Sequence, residues 1–244
     1  MSRLQTTSAR LLETYPKRLV RLGRFAFIVC YVSAATLVAP LVAPWFMSRA
    51  SAQDLPKYEV TGFRDVRFGQ SEQEVRALVA KALNVKAADI VASSNPIEGT
   101  GVLTVTAPSL EPGPGPARIA YIFGHSSKRL IQINVVWGED APQNVDTVAA
   151  AGTRLQRYFS GFGWKKDAAR AGIPVGENTI ILFAGDDEKK GSVRLVIDGV
   201  KYQMQRDGNQ PATSPEPKGP PKLMINYIAD RENPDIAKIE KGKF

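Results

Sequence analysis

Residues 119–138 read IAYIFGHSSKRLIQINVVWG, and this stretch decides the fold class. Two runs rich in β-branched and aromatic residues flank a polar loop at 125–129, which is typical of an antiparallel hairpin. In the second run, alternate residues share one apolar face of a strand: Ile131, Ile133, Val135 and Trp137. A sheet with one apolar face needs a second layer that buries this face.

Two amphipathic helices are predicted to form that layer. In the stretch 71–83, Ser71 and Glu74 have the spacing of a capping box, in which each side chain binds a free backbone N–H at the helix start. The residues after them place one apolar face at helical spacing: Val75, Leu78, Val79, Ala82 and Leu83. A second apolar helical pattern covers 144–163 and ends in glycines.

The remaining strand patterns follow these two helices. We predict strands at 62–69, 101–107, 117–124, 130–138, 178–185, 192–199 and 222–230. Residues 180–199, IILFAGDDEKKGSVRLVIDG, have the same pattern as the opening stretch, so the order of one helix and three strands occurs twice. Hairpins are common enough that chance is a rival explanation for this pseudo-repeat. The sequence predicts an α+β fold, an antiparallel sheet covered by two amphipathic helices.

The domain organisation follows from composition. We expect a single α+β domain over 53–230, with a mobile loop at 207–221 that is dense in Pro, Gly and polar residues. Residues 231–244 are predicted to be a charged, loosely held tail. Residues 1–52 are predicted to be a signal peptide, because a basic start precedes an apolar run at 25–46 and small residues.

Cleavage is expected after Ala52, with Ala50 and Ala52 as the small residues that the peptidase recognises and Gln53 as the first mature residue. The run at 25–46 is also long enough to cross a bilayer, at about 20 residues per span. An uncleaved anchor therefore remains the alternative, although two prolines in the run disfavour a spanning helix. Both interpretations place the rest of the chain outside the cytoplasm, in the periplasm, because the positive flank stays inside.

The charge balance argues against a nucleic-acid partner. The chain has 32 Lys and Arg against 24 Asp and Glu. The first 52 residues hold seven of the basic residues and one acid, which leaves 25 against 23. The high pI therefore belongs mostly to the leader, and a concentrated basic face is not evident. We expect contact with a membrane only through the leader.

Chemistry-bearing residues are scarce. The only cysteine, Cys30, lies in the leader, and the only histidine, His125, lies in the hairpin loop next to two serines. Sequence neighbours on a tight turn rarely form a catalytic pair. The acidic cluster at 186–188 lacks the alternating oxygen spacing of a calcium loop. We therefore expect no enzyme activity, no metal and no cofactor, and a hydrolase that uses carboxylates with His125 is the least favoured alternative.

A protein-contact surface is the remaining candidate site. Trp164 follows the end of the second helix and precedes a basic pair, which favours exposure and contact with a partner. The candidate surface comprises Trp164, Lys165 and Lys166, together with the loop residues His125, Lys128 and Arg129.

The stretches 62–79, GFRDVRFGQSEQEVRALV, and 119–138 resemble a group of uncharacterised secreted proteins of Gram-negative bacteria. More loosely, the arrangement is similar to small envelope modules, including outer-membrane assembly lipoproteins and secreted enzyme inhibitors. The chain departs from the lipoproteins because no lipid-bearing cysteine stands at the cleavage site. The resemblance implies protein–protein contact without catalysis. We expect a periplasmic module that binds another envelope protein, or an accessory subunit anchored in the inner membrane by residues 25–46.

Overall fold

The computed structural model describes residues 55–201 and 216–238, and its main element is an antiparallel sheet of eight strands. The elements are, in chain order, β1 (Gly62–Phe63), β2 (Val66–Arg67), α1 (Glu72–Leu83), a 3-10 turn (Ala87–Asp89), β3 (Val91–Asn95), β4 (Thr100–Ala107), β5 (Ala117–Phe123), β6 (Leu130–Trp137), α2 (Val145–Ser160), β7 (Arg170–Val175), β8 (Thr179–Asp186), β9 (Ser192–Lys201) and β10 (Glu216–Ile228). The predicted α+β class and antiparallel sheet are confirmed.

The strands of the large sheet lie in the order β3-β4-β5-β6-β10-β9-β8-β7. Each helix is followed along the chain by four strands, where the sequence predicted three. The strands that the sequence missed, β3 and β7, are the two edge strands, and both are largely exposed. Because an exposed edge strand does not need an apolar face, these stretches lack the alternation on which the prediction depended.

One face of the sheet forms the core. A row of paired residues crosses five strands on this face, and all of its members are buried: Leu103, Tyr121, Ile133, Tyr227 and Val193. Helix α2 packs on β8, β9 and β10, and α1 contacts β2 and β4. A side chain at Gly152 would meet Leu182 and Ile197, so glycine permits the close approach of α2 to the sheet.

The predicted helix starts are confirmed. The backbone N–H of Ser71 donates to the Glu74 carboxylate at 2.7 Å, and the Ser71 hydroxyl caps α1 in return. At α2 the side chain of Asn144 accepts a hydrogen bond from the backbone N–H of Asp146 at 2.7 Å.

Two strand predictions need correction. Residues 62–69 form a two-stranded hairpin, because Arg64 adopts a left-handed conformation (φ 53°) and turns the chain between β1 and β2. In β6 the register shifts, so that Phe123 pairs with Leu130 while Ile122 pairs with Gln132. The extra residue, Ile131, leaves the buried row, and Leu130 is buried in its place.

The loop and tail also differ from expectation. Strand β10 begins at Glu216, so residues 216–221 of the predicted loop belong to a strand, while residues 207–215 lie outside the described residues. A register shift between Pro217 and Lys222 accommodates the prolines of this stretch. Within the predicted tail, residues 231–238 are held: the N–H of Ala237 donates to the carbonyl of Glu98 at 2.7 Å.

The predicted leader, with Ala50, Ala52 and Gln53, lies outside the described residues. Across residues 55–201 and 216–238, neither helix has the length and hydropathy that crossing a bilayer requires.

Candidate functional site

Trp164 is packed against other rings. Its indole stacks on Tyr58 with 4.7 Å between ring centroids, and its Nε1–H donates to the carbonyl of Phe159 at 2.9 Å. It also contacts Phe183, and it is only partly exposed. Trp164 is therefore less exposed than the sequence predicted, because its ring packs between the end of α2 and the sheet. The neighbouring Lys165 and Lys166 are exposed.

His125 is exposed in the β5–β6 loop, and its Nδ1 lies 3.2 Å from the carbonyl oxygen of Gly99. The nearby acid, Asp235, accepts hydrogen bonds from the backbone N–H groups of Ser126 and Ser127 at 2.9 and 2.8 Å. A hydrogen bond from the Ser127 hydroxyl, followed by these two backbone bonds, lowers the pKa of Asp235 to about 2. The carboxylate thus holds the loop backbone and does not orient the imidazole.

The other loop residues of the candidate surface serve the turn. Lys128 adopts a left-handed conformation (φ 54°), and the Arg129 guanidinium lies 3.9 Å from the Glu74 carboxylate at the start of α1. The loop 124–129 and the β8–β9 turn lie at the same end of the sheet, and residues 231–235 contact both: Asp235 binds the loop, and Arg231 pairs with Asp186 at 3.1 Å.

A cavity of about 450 Å³ lies on the helical side of the sheet, and sequence analysis did not find it. The centre of the sheet forms its floor. Helix α2, the β1–β2 hairpin and the loop at 111–112 form its walls. The lining residues are Tyr58, Gly62, Phe63, Arg64, Glu111, Pro112, Trp137, Arg154, Leu155, Tyr158, Phe159, Ile225 and Tyr227. This volume is within the usual range of small-ligand sites, about 300–1,000 Å³.

Six of the thirteen lining residues are aromatic. Phe63 and Tyr227 lie 5.5 Å apart between ring centroids, and Tyr227 and Phe159 lie 6.4 Å apart. The Trp137 indole N–H is already bound to the carbonyl of Leu110 at 3.0 Å. Tyr158 is 54% exposed and lies at the cavity mouth, where it meets Phe159 edge to face.

Three tyrosine hydroxyls lie around this cavity. Burial raises the pKa of Tyr58 to about 12, with a smaller contribution from Tyr158. Burial also raises the pKa of Tyr227, and Tyr58 and Tyr158 add to this effect. No hydrogen bond of these three hydroxyls is found within the part of the chain that the structure describes.

Charged side chains are placed at the mouth. Arg154 on α2 reaches across to the loop and donates to the carbonyl of Pro112 at 2.9 Å. The guanidinium of Arg64 lies 5.6 Å from the centre of the Phe63 ring. Glu111 is the single carboxylate of the lining.

Among the described residues, no group of three or more His, Cys, Asp or Glu side chains could hold a metal ion. None of the known protein families, curated proteins or solved structures compared with the chain is similar to it.

Proposed function

We propose that the protein is a non-enzymatic, exported module that binds another envelope protein in the periplasm. One observation carries the proposal: an aromatic cavity opens on the helical side of the sheet, and the exposed Tyr158 lies at its mouth. Exposed tyrosines next to a pocket are typical anchor sites at protein interfaces, where aromatic residues and arginine are enriched. The basic and apolar start of the chain supports export.

We further propose that the sheet is built from two related halves, each covered by its own helix. The support is the mirrored strand order, in which the four strands after α1 and the four strands after α2 meet at β6 and β10. The cavity lies over this junction, since Trp137 comes from β6 and both Ile225 and Tyr227 come from β10.

The test is chemical cross-linking in the producing cells, followed by affinity purification of the tagged protein and mass spectrometry. We expect one stoichiometric envelope protein with the wild type. Tyr158→Ala should lose it, because the substitution removes the ring at the mouth. Ile97→Ala is the matched control, since Ile97 is 87% exposed and is not part of the cavity lining. Equal capture by all three chains, or capture of no protein by the wild type, would contradict the proposal.

The intact mass of the same bait decides how the protein is attached. A chain that starts at Gln53 supports cleavage of the leader. A chain that retains residues 1–52 in the membrane fraction supports the anchored accessory subunit instead.

A further inference from the structure

Three tyrosine hydroxyls of the cavity have no hydrogen-bond partner among the described residues. Tyr227 is only 6% exposed, yet no hydrogen bond of its hydroxyl is found within residues 55–201 and 216–238. Because Tyr227 lines the cavity, its hydroxyl is free to form a hydrogen bond with an incoming group. Tyr58 and Tyr158 line the same cavity as Tyr227. The matching group is therefore a hydrogen-bond acceptor that several hydroxyls can approach together, as they can a carboxylate.

The charges at the mouth favour a monoanion. The lining contains two guanidinium groups, those of Arg64 and Arg154, and one carboxylate, that of Glu111. One positive charge is left without an opposing charge in the lining. Arg64 makes no ion pair in the described part of the chain, and its guanidinium lies beside the Phe63 ring. A dianion such as a phosphate monoester would exceed this charge, whereas a carboxylate matches it.

The rest of the lining is apolar. Trp137, Leu155, Phe159 and Ile225 are all buried, and they form the floor and the wall below α2. Such surfaces take an aryl or alkyl group, and a cavity of about 450 Å³ has room for one such group and its acid function.

We propose that this cavity binds an amphipathic monocarboxylic acid, with its aryl or alkyl group on the apolar floor and its carboxylate between the tyrosine hydroxyls and Arg64. The acid has two chemical sources, a free small molecule or the C-terminal residue of a polypeptide. In the second case the inference rests on the proposed function and names the part of the partner that is recognised. In the first case it stands without a protein partner.

The test is calorimetric titration of the protein, as isolated from the producing cells, with 3-phenylpropionate and with its neutral amide. We expect the acid to bind at least about tenfold more tightly than the amide, because charge-assisted hydrogen bonds are lost with the charge. Arg64→Gln should weaken binding of the acid by about tenfold and leave binding of the amide unchanged. Glu111→Gln should strengthen binding of the acid, because it removes the negative charge that repels the ligand carboxylate. Tyr227→Phe should weaken binding of the acid, whereas Thr100→Val, the loss of a buried hydroxyl outside the lining, should not.

A second arm separates the two sources. The peptide Gly-Gly-Phe with a free C-terminus should compete with 3-phenylpropionate if a polypeptide end is recognised, and its C-terminally amidated form should not. Binding of the small acid without competition by either peptide assigns the cavity to a free acid.

The inference is overturned if neither the acid nor the free-ended peptide binds, if acid and amide bind equally, or if Arg64→Gln leaves acid binding unchanged. These outcomes differ from failure of the proposed function, which is read from the cross-linked bait. An acid that binds a protein with no cross-linked partner contradicts only the protein-binding proposal.

Discussion

The backbone N–H of Val60 donates to the buried carboxylate of Asp187 at 2.8 Å, although 127 residues separate them in sequence. The same carboxylate accepts the N–H groups of Lys189 and Gly191 at 2.8 and 2.7 Å, which shapes the β8–β9 turn. Asp187 is 3% exposed. One side chain thus ties the segment before β1 to a turn of the sheet, and the segment carries Tyr58 to the cavity.

Replacement of Asp187 should destabilise the fold. Asp187→Ala leaves three backbone N–H groups without their acceptor, and each buried unsatisfied donor costs about 1–3 kcal/mol. We expect a loss of about 3 kcal/mol or more in the free energy of unfolding, measured by denaturant titration. Glu188→Ala is the control from the same acidic cluster, because Glu188 is exposed, and it should change stability by less than about 0.5 kcal/mol. Equal losses of stability in the two variants would show that the hydrogen bonds of the Asp187 carboxylate do not stabilise the fold.

Asp235 should hold the C-terminal segment on the β5–β6 loop. Asp235→Ala removes the acceptor of the Ser126 and Ser127 N–H groups. These two amides should therefore exchange with solvent about tenfold faster at neutral pH. We expect no larger increase, because the site is exposed to solvent. Glu232→Ala is the control, since Glu232 is exposed on the same segment. Hydrogen exchange read residue by residue, and corrected for intrinsic rates, measures the difference.

The same contact should depend on pH at the acid end. The pKa of Asp235 is lowered from 3.8 to about 2, so its contribution is complete above about pH 4 and is lost as the pH falls through about 2. Protection of the two serine amides in the wild type should therefore approach that of Asp235→Ala near pH 2. Protection that stays constant down to that pH would contradict the assigned role.

Sequence patterns predicted the two helices and the six strands that bury side chains, because each of these elements carries its own periodicity. The capping pair Ser71 and Glu74 even placed the start of α1 to the residue. The edge strands β3 and β7 escaped prediction because exposed residues leave no alternation. Strand β10 was predicted to begin six residues too late, since the prolines at 217, 220 and 221 are typical of a loop.

The cavity could not be predicted from local patterns. Tyr58 lies before β1, Tyr158 in α2 and Tyr227 in β10, so only the tertiary fold brings these three side chains to one cavity. For the same reason Trp164 was misjudged: its surroundings come from Tyr58 and Phe183, which lie far from it in sequence. Local sequence patterns predict the element in which a residue lies, but they do not show which residues of other elements surround it.

Alkaline pH should weaken the fold through the buried tyrosines. Burial raises the pKa of Tyr58 from 10.0 to about 12, so the folded chain keeps this proton while the unfolded chain loses it. The stabilisation is complete below pH 10 and is lost as the pH rises through about 12. Denaturant unfolding across this range should show a smaller loss of stability for Tyr58→Phe than for the wild type. The ultraviolet absorbance of tyrosinate gives the titration itself, with the denatured chain as the reference, and equal alkaline losses in both chains would contradict the assignment.

Gly199 should be required by the strand that passes beside it. Its φ of 77° is in the left-handed region, and a Cβ there would lie 2.6 Å from the carbonyl oxygen of Pro220, at the register shift of β10. Gly172 has a similar φ of 67°, but a Cβ at this position would have no atom within 4 Å. A substitution there therefore measures only the cost of the left-handed backbone conformation. We expect Gly172→Ala to lower the free energy of unfolding by about 1–2 kcal/mol. Gly199→Ala should lower it clearly more, because the central strand must also shift. Thermal and denaturant unfolding of the pair measure the difference, and equal losses would mean that the close approach of Pro220 imposes no constraint.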